Sequence, residues 1–199
     1  MATLYSLTSD GFEQQFATNH LAHFLLFQLL KDAMLARATP QYSSRYVSVT
    51  SLAAHIFGLG VHVGDYHYDA TEYSPWDAYA QSKTANIWMA KRHRAPLWCP
   101  QFARHVLELA ALSSDEALVC TFKSSAQGAA TQVYAAVSKE WASKGGRYLS
   151  GMVEQGSREE VGREEGMFEY ANEGYAAWCY DTDGEERLWE DSLGMAGFA

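Results

Sequence analysis

Two long helical patterns flank one short strand pattern in the first half of the chain, and this order restricts the fold. Apolar residues recur at helical spacing from Phe12 to Leu29. The segment Arg45–Ser51 follows, in which β-branched or aromatic residues alternate with polar ones, a pattern typical of a strand. A second helical pattern covers about Trp76–Arg94. Helices that alternate with strands predict an α/β layered sheet.

Capping signals set the expected ends of the helices. Asp10 and Glu13 form a capping-box pattern, so the first helix is expected to begin there and to end near Arg37–Pro40. Ser124 and Gln127 form a second capping box, which predicts a third helix.

The third helix is expected to carry one apolar face and to end at a pair of glycines. Val133, Val137 and Trp141 form the expected face, and Gly145–Gly146 the expected C-cap. The segment Arg147–Val153 then predicts a short strand. The remaining tail is expected to be a loosely attached region on the same domain that ends in a helix at about Asp183–Leu193.

The charge pattern and the cysteines exclude several classes of protein. Acidic residues outnumber basic ones by 24 to 15, and 13 of the acidic residues lie in the last 49 positions. Without a basic stripe we expect no nucleic-acid partner. The longest apolar run, Phe24–Leu30, is too short to cross a membrane. No signal peptide is recognisable, and Cys99, Cys120 and Cys179 are widely spaced, so we expect a cytoplasmic protein with free thiols.

The most specific chemical signal is the pair Tyr79 and Lys83 in the second long helix. A spacing of four places the phenol and the ammonium on one helical face. A free tyrosine has a pKa of about 10, and a neighbouring ammonium stabilises the phenolate and lowers that pKa. A general acid works best when its pKa approaches the working pH. Taken alone, the same spacing also fits a surface lysine beside a half-buried tyrosine.

Two further residues support the catalytic interpretation. Thr50-Ser51 ends the predicted strand 28 residues before Tyr79, and ligands of open α/β sheets lie at the carboxyl ends of strands. Asn19 lies inside the apolar first helix, where an amide needs a hydrogen-bond partner.

Three ordered segments, DGFEQQFATNHLAHFLL, RYVSVTSLAAH and AYAQSKTANI, closely resemble the short-chain dehydrogenase/reductase family. The resemblance covers roughly residues 1–90 and 105–193. The nearest branch comprises members similar to retinol dehydrogenases and to the WW-domain oxidoreductase. The later segment TFKSSAQGAATQVYAAVSKEWASKGGRYLS resembles fungal members of that branch.

The resemblance implies a catalytic tetrad and a nicotinamide cofactor. It assigns Tyr79 as the proton donor and Lys83 as the residue that lowers its pKa and holds the nicotinamide ribose. It assigns Ser51, with Thr50 as the less favoured candidate, to the substrate carbonyl. It assigns Asn19 to a water in the proton relay. The implied reaction interconverts a hydrophobic ketone or aldehyde and its alcohol with NADP or NAD, in a fungal secondary-metabolite pathway.

The sequence also departs from the family pattern. It contains no opening strand with a glycine-rich turn, and Gly58-Leu59-Gly60 does not open a helix. We therefore expect an N-terminally truncated chain with impaired cofactor binding, and a partial Rossmann-like doubly wound parallel sheet that lacks the nucleotide-binding strands. Residues 1–153 would form the catalytic core and residues 154–199 an acidic extension packed on it.

A second departure follows the Tyr79–Lys83 helix. The segment HRAPLWCPQF contains Pro96 and Pro100 but not the Pro-Gly motif of the family. We therefore expect a central parallel strand to be lost there.

The sequence also allows interpretations other than an enzyme. The chain could be an inactive remnant that associates with itself or with an intact relative through the helices at about 10–38 and 76–94, which form a subunit interface in the family. His20 and His23 have the spacing of metal ligands, although ordinary helix positions are favoured and no metal is expected. His62 and His67 could contact substrate, but solvated loop histidines are favoured.

Overall fold

The fold is a small, mostly parallel sheet with helices around it. The structure, a computed structural model, describes residues 2–39, 43–57, 59–92, 97–98, 124–161 and 174–198. Several predicted features, namely Cys99, Cys120, Pro40, Pro96, Pro100 and Gly58, lie outside the described residues. None of the helices in the described ranges is both long enough and apolar enough to span a bilayer.

The first long helix is interrupted by one wide turn. It consists of α1 (Gln14–Phe16), a π-helical turn (Ala17–Leu21) and α2 (Ala22–Arg37). Its end at Arg37 agrees with the prediction, but the predicted capping box at Asp10 is wrong. The Glu13 carboxylate instead accepts hydrogen bonds from the backbone N–H groups of Gln15 and Phe16, at 2.9 and 2.7 Å.

The turn that precedes this helix explains the later start. Residues 7–13 fold back on themselves, with a bridge between Leu7 and Glu13 and a hydrogen bond from the Thr8 N–H to the Phe12 carbonyl. Gly11 occupies a φ of +84° in this turn, a conformation that glycine adopts readily. Helical backbone therefore cannot begin at Asp10.

Within the described ranges the sheet has four short strands, in the order β1 (Ser48–Val49), β2 (Leu97–Trp98), β3 (Tyr148–Ser150) and β4 (Val153–Glu154). Strands β1, β2 and β3 are parallel, and β4 is antiparallel to β3. The expected loss of a central strand is wrong, because Leu97–Trp98 pair with both neighbours. Only two residues are needed to bridge β1 and β3, so the absence of a Pro-Gly motif does not interrupt the sheet.

The predicted strand at residues 147–153 is a tight hairpin. Gly151 and Met152 separate β3 from β4, with φ values of +59° and +66°. Positive φ at both central residues is the requirement of a two-residue hairpin turn.

The helix α5 (Ser125–Val137) begins as predicted and ends earlier than predicted. The Ser124–Gln127 capping box is confirmed. The helix ends at Ser138 and is followed by a 3-10 turn (Lys139–Trp141), so Gly145–Gly146 do not cap it. The predicted apolar face is also wrong, since Val133 and Val137 are exposed and the helix buries Gly128, Thr131 and Ala135.

The helix α4 (Pro75–Arg92) forms the centre of the core. The short helix α3 (Ala53–Ile56) packs beside it, and Ala54, Ile87 and Ala90 share one buried cluster. A second cluster joins α4 to the helix that contains Phe16 and to the C-terminal segment; its buried members are Phe16, Leu21, Tyr66, Ala85, Trp88 and Leu188.

The C-terminal segment is packed closely on α4. After a short helix α6 (Arg158–Val161) and a 3-10 turn (Ala177–Tyr180), the chain ends in α7 (Thr182–Met195). The Asp181 carboxylate caps α7 by accepting from two backbone N–H groups. An ion pair joins Lys91 of α4 to Glu185 of α7. This helix therefore contributes buried surface to the same core, and is slightly longer than the predicted Asp183–Leu193.

Candidate active site

Tyr79 and Lys83 lie on one face of α4, as their spacing predicts. The Lys83 ammonium nitrogen is 5.7 Å from the centroid of the Tyr79 ring. Tyr79 is only 8% exposed, and Lys83 is half-buried. A cation at this distance from a phenol in a partly dry setting stabilises the phenolate form more than it would in water.

Asn19 lies in the π-helical turn and contacts α4 between these two residues. Its side-chain Nδ2 donates to the Ser82 Oγ at 3.0 Å, and that hydroxyl donates to the Tyr79 carbonyl at 2.8 Å. A π-turn inserted in an α-helix is rare and is found often at functional sites. The turn thus brings Asn19 to the helix that holds the Tyr79–Lys83 pair.

Ser51 and Thr50 follow β1 and differ in their partners. The Thr50 hydroxyl donates to the Lys83 carbonyl at 2.8 Å and is almost fully buried. The Ser51 Oγ accepts from the Ala53 N–H at 3.2 Å, so its own proton is available for another acceptor. Thr50 therefore ties the strand end to α4, and Ser51 is the better candidate for contact with a ligand.

Asn86 is a site residue that the sequence analysis missed. Its Nδ2 donates to the backbone carbonyl of Asn19 at 2.9 Å and to that of Val49 at 3.0 Å. The signal that could have identified it is the one applied to Asn19, namely an amide on an apolar helix face. Asn86 thus links all three elements that hold the candidate catalytic residues.

The loop before α4 is held by a hydrogen-bonded cluster that was not predicted from the sequence either. The Asp77 carboxylate is 2.7 Å from the His62 Nε2 and accepts from the Tyr68 hydroxyl at 2.8 Å. Burial and the Asp77 charge raise the pKa of Tyr68. His67 accepts a hydrogen bond from the Glu13 N–H. Both histidines therefore help to hold the loop through hydrogen bonds, and both side chains stay partly exposed to solvent.

Aromatic rings extend from Tyr79 toward solvent. The Trp76 ring meets the Tyr79 ring edge to face at a centroid distance of 6.2 Å, and Phe57 stacks on Trp76 at 4.8 Å. Phe57 is exposed and Trp76 is half-buried. This arrangement provides an apolar wall beside the Tyr79 phenol.

His20 and His23 do not converge on a common point. The His20 Nε2 pairs with the Ser192 Oγ at 3.0 Å inside the core, and burial lowers the pKa of His20 to about 4. The His23 Nδ1 pairs with the Asn19 carbonyl at the surface. Within the residues that the structure describes, no three His, Cys, Asp or Glu side chains are grouped as a metal site.

The described residues fit one end of a nicotinamide cofactor. The Lys83 ammonium and the Tyr79 hydroxyl are donors that could hold a ribose hydroxyl. At Gly60 an added Cβ would lie 3.4 Å from Trp178, so this glycine packs on a side chain. In the ranges covered by the structure, Gly60 is therefore not part of a phosphate cradle.

Comparisons with known proteins identify relatives over nearly the whole chain. No protein-family model matches it. It is 38% identical to the short-chain dehydrogenase/reductase prx1 of Penicillium roqueforti, across 98% of this chain and 59% of that protein. It is also 38% identical to the oxidoreductase calI of Penicillium decumbens, across 96% of this chain and 59% of that protein. The human polyprenol dehydrogenase is 33% identical over 71% of this chain and 47% of its own length.

A solved structure shows the same fold. A crystal structure of an uncharacterized protein from Mycobacterium Paratuberculosis superposes with a TM-score of 0.63 and 27% identity, covering 99% of this chain and 63% of that one. The chain thus spans about three fifths of the length of prx1, of calI and of this solved structure, and about half of the human polyprenol dehydrogenase. The identity to prx1 and calI, sustained from one end of the sequence to the other, shows that the chain belongs to the short-chain dehydrogenase/reductase family.

Proposed function

We propose that the chain contributes the catalytic residues of an NAD- or NADP-dependent oxidoreductase that interconverts a hydrophobic ketone or aldehyde and its alcohol. The observation that carries this proposal is the Lys83 ammonium over the nearly buried Tyr79 ring. The nicotinamide supplies or accepts the hydride, and the protein provides position and electrostatics.

In the direction of reduction, Tyr79 donates its phenolic proton to the carbonyl oxygen of the substrate as that oxygen becomes an alkoxide. The resulting phenolate is stabilised by the Lys83 ammonium. The Ser51 hydroxyl donates a hydrogen bond to the same oxygen and orients it. Asn19 holds a water through which Tyr79 recovers a proton from solvent. In the direction of oxidation each proton moves the opposite way.

The substrate class follows from the apolar wall. Phe57 and Trp76 extend from Tyr79 with half-exposed or exposed rings, and such rings bind apolar and planar groups. We therefore propose a hydrophobic substrate. A role in a fungal secondary-metabolite pathway is part of the proposal and rests on the family resemblance alone.

A second candidate function is association without catalysis. Four leucines form an exposed stripe on α2: Leu25, Leu26, Leu29 and Leu30. Exposed apolar surface of this kind favours self-association. The helix α4 is buried along nearly all of its length within one chain, so this function would depend on α2.

Titration of NADPH against the purified chain separates the two functions. Saturable binding in the micromolar range, followed by the nicotinamide fluorescence, supports the oxidoreductase. We expect Lys83→Met to weaken binding about tenfold or more, since a charge-assisted hydrogen bond contributes roughly 1.5–3 kcal/mol. Lys144→Met, at an exposed lysine that follows the 3-10 turn Lys139–Trp141, is the control and should bind as the unmodified chain does. Absence of saturable binding by the unmodified chain would favour association.

A further inference from the structure

We propose that Asn86 is a positioning residue that holds Asn19 and the end of β1 against the helix of Tyr79 and Lys83. This inference rests on the proposed function, because it assigns a purpose to the alignment of the four candidate catalytic residues. The sequence spacing of those four residues does not indicate that a fifth residue is needed to align them.

Both side-chain N–H groups of Asn86 are hydrogen-bonded. A carboxamide nitrogen has two N–H groups. Nδ2 lies 2.9 Å from the Asn19 carbonyl and 3.0 Å from the Val49 carbonyl, so each N–H serves one carbonyl. The side chain is 2% exposed, which leaves no water to replace either contact. The backbone carbonyl of Asn86 also accepts from the Ser48 hydroxyl at 3.2 Å. Asn86 therefore joins three elements at one buried point.

Each of the two carbonyls belongs to an irregular or very short element, and the Asn19 carbonyl also pairs with the His23 Nδ1 at 2.8 Å. Asn19 belongs to a π-helical turn, in which the regular ladder of an α-helix is interrupted. Val49 is the last residue of a strand of only two residues. A side-chain donor at both positions is thus a stronger constraint than it would be in a long helix or strand.

The two carbonyls adjoin the candidate catalytic groups. The Asn19 carbonyl belongs to the residue proposed to hold the relay water, and Val49 lies two positions before Ser51. Asn86 itself lies three positions after Lys83, less than one helical turn away. Loss of its amide would shift Asn19 and Ser51 relative to Tyr79. A displacement of about 1 Å in an active site lowers the rate on the order of 100-fold.

The test compares two substitutions of Asn86 with a matched control on the same helix. Asn86→Asp keeps the shape and replaces the donor nitrogen by an oxygen that repels both carbonyls. Asn86→Ala removes the donor and leaves room for water. It provides the same test if the Asn86→Asp variant does not fold. The control is Thr84→Val, because Thr84 is equally buried and its hydroxyl has no hydrogen-bond partner among the described residues.

Hydrogen–deuterium exchange of the unliganded chain measures directly how firmly the two segments are held, and it does not require an active enzyme. We expect faster exchange in the peptides that cover residues 17–24 and 47–53 of the Asn86 variants, with unchanged exchange in α7 and in Thr84→Val. In turnover assays we expect kcat to fall about tenfold or more with KM nearly unchanged, the signature of a lost transition-state alignment.

The outcomes separate this inference from the proposed function. Exchange in the Asn86 variants that matches Thr84→Val would overturn the positioning role, whatever the activity. Faster exchange at both peptides with unchanged kcat would also overturn it, because the alignment would then be irrelevant to the reaction. A chain that neither binds NADPH nor turns over refutes the proposed function, and with it the positioning of catalytic groups.

Discussion

Ser51 and Thr50 are neighbouring hydroxyls at the end of β1, and their hydrogen bonds indicate different roles. The Thr50 hydroxyl is committed to the Lys83 carbonyl in the core, whereas the Ser51 Oγ accepts from a local N–H and retains a proton to donate. A hydroxyl that stabilises a developing charge affects the rate, and a hydroxyl that ties two elements affects stability. The two variants should therefore separate the two effects.

We expect Ser51→Ala to lower kcat by about 100-fold or more, as loss of one donor to a developing oxyanion does, with an unchanged melting temperature. We expect Thr50→Val to lower the free energy of unfolding by about 1 kcal/mol and to keep most of the activity. Steady-state rates and denaturant titrations of both variants provide the check. The reverse pattern would assign the ligand contact to Thr50.

The four candidate catalytic residues were singled out in the sequence by local signals together with the family resemblance, and their catalytic roles stay predictions. Tyr79 and Lys83 share a helical spacing, and Ser51 follows a recognisable strand. Asn86 and Asp77 could not be predicted from the same signals, because their roles depend on contacts with residues far apart in the chain. The periodicity of apolar residues in a sequence indicates which face of a helix is buried. It does not indicate which partner a buried polar side chain contacts.

Among the helices and strands, the length of a segment decided whether its position could be predicted from the sequence. The long helices and the Ser124 cap were predictable, since many residues contribute to each pattern. The two-residue strand β2 was missed, because two residues cannot display alternation. The end of α5 was misplaced because Ser138, without a glycine, caps it. The start of the first helix was misplaced because a turn at residues 7–13 is formed by pairing of the backbone.

The packing of α7 on α4 gives a prediction with an internal control. A Cβ at Gly184 would lie 2.5 Å from the Trp88 ring and 2.6 Å from the Asp181 carboxylate that caps α7, whereas a Cβ at Gly194 meets nothing within 4 Å. We expect Gly184→Ala to destabilise the chain by about 1–3 kcal/mol, as overpacking in a core does. Gly194→Ala should be neutral or stabilise it by up to about 1 kcal/mol. Thermal unfolding measures both, and equal melting temperatures would show that α7 does not depend on this close contact.

At the scale of the whole molecule, two buried histidines make stability depend on pH. Burial lowers the pKa of His20 to about 4 and that of His55 to about 3, and the charge of Arg158 adds to the effect at His55. In the unfolded chain both side chains titrate near a pKa of about 6.5. Below that pH the unfolded state binds more protons than the folded state, so stability falls as the pH falls.

We expect the free energy of unfolding to decrease from pH 7 to pH 5, by up to about 1.4 kcal/mol per pH unit for each histidine. His20→Gln should remove the contribution of one of the two buried histidines to this pH dependence. His23→Gln, at an exposed position one turn away, removes only the smaller contribution of the His23 charge to the pKa of His20, so it should change the slope much less. Urea titrations at four pH values provide the measurement, and an equal slope in His20→Gln and the unmodified chain would refute the role of burial.

The leucine stripe on α2 also acts at the scale of the whole molecule. Leu26 and Leu29 are 51% and 65% exposed, and apolar surface in one stripe promotes association. We expect the chain to self-associate as its concentration rises, and the double variant Leu26→Lys, Leu29→Lys to remain monomeric. The control Val133→Lys, Val137→Lys changes two exposed residues of α5 and should not alter association. Sedimentation equilibrium distinguishes the outcomes, and a monodisperse, cooperatively melting unmodified monomer would contradict this expectation.

The central claim is that Tyr79 transfers the proton in a nicotinamide-dependent reaction, and one comparison tests it most directly. NADPH oxidation is measured with a panel of hydrophobic ketones for the unmodified chain and for Tyr79→Phe, together with NADPH affinity. We predict saturable turnover by the unmodified chain, and in Tyr79→Phe a rate lower by about 100-fold or more, the contribution of a general acid. The affinity for NADPH should fall far less than the rate, since Lys83 still holds the ribose, and the melting temperature should be nearly unchanged. Turnover by Tyr79→Phe at the rate of the unmodified chain would contradict the claim.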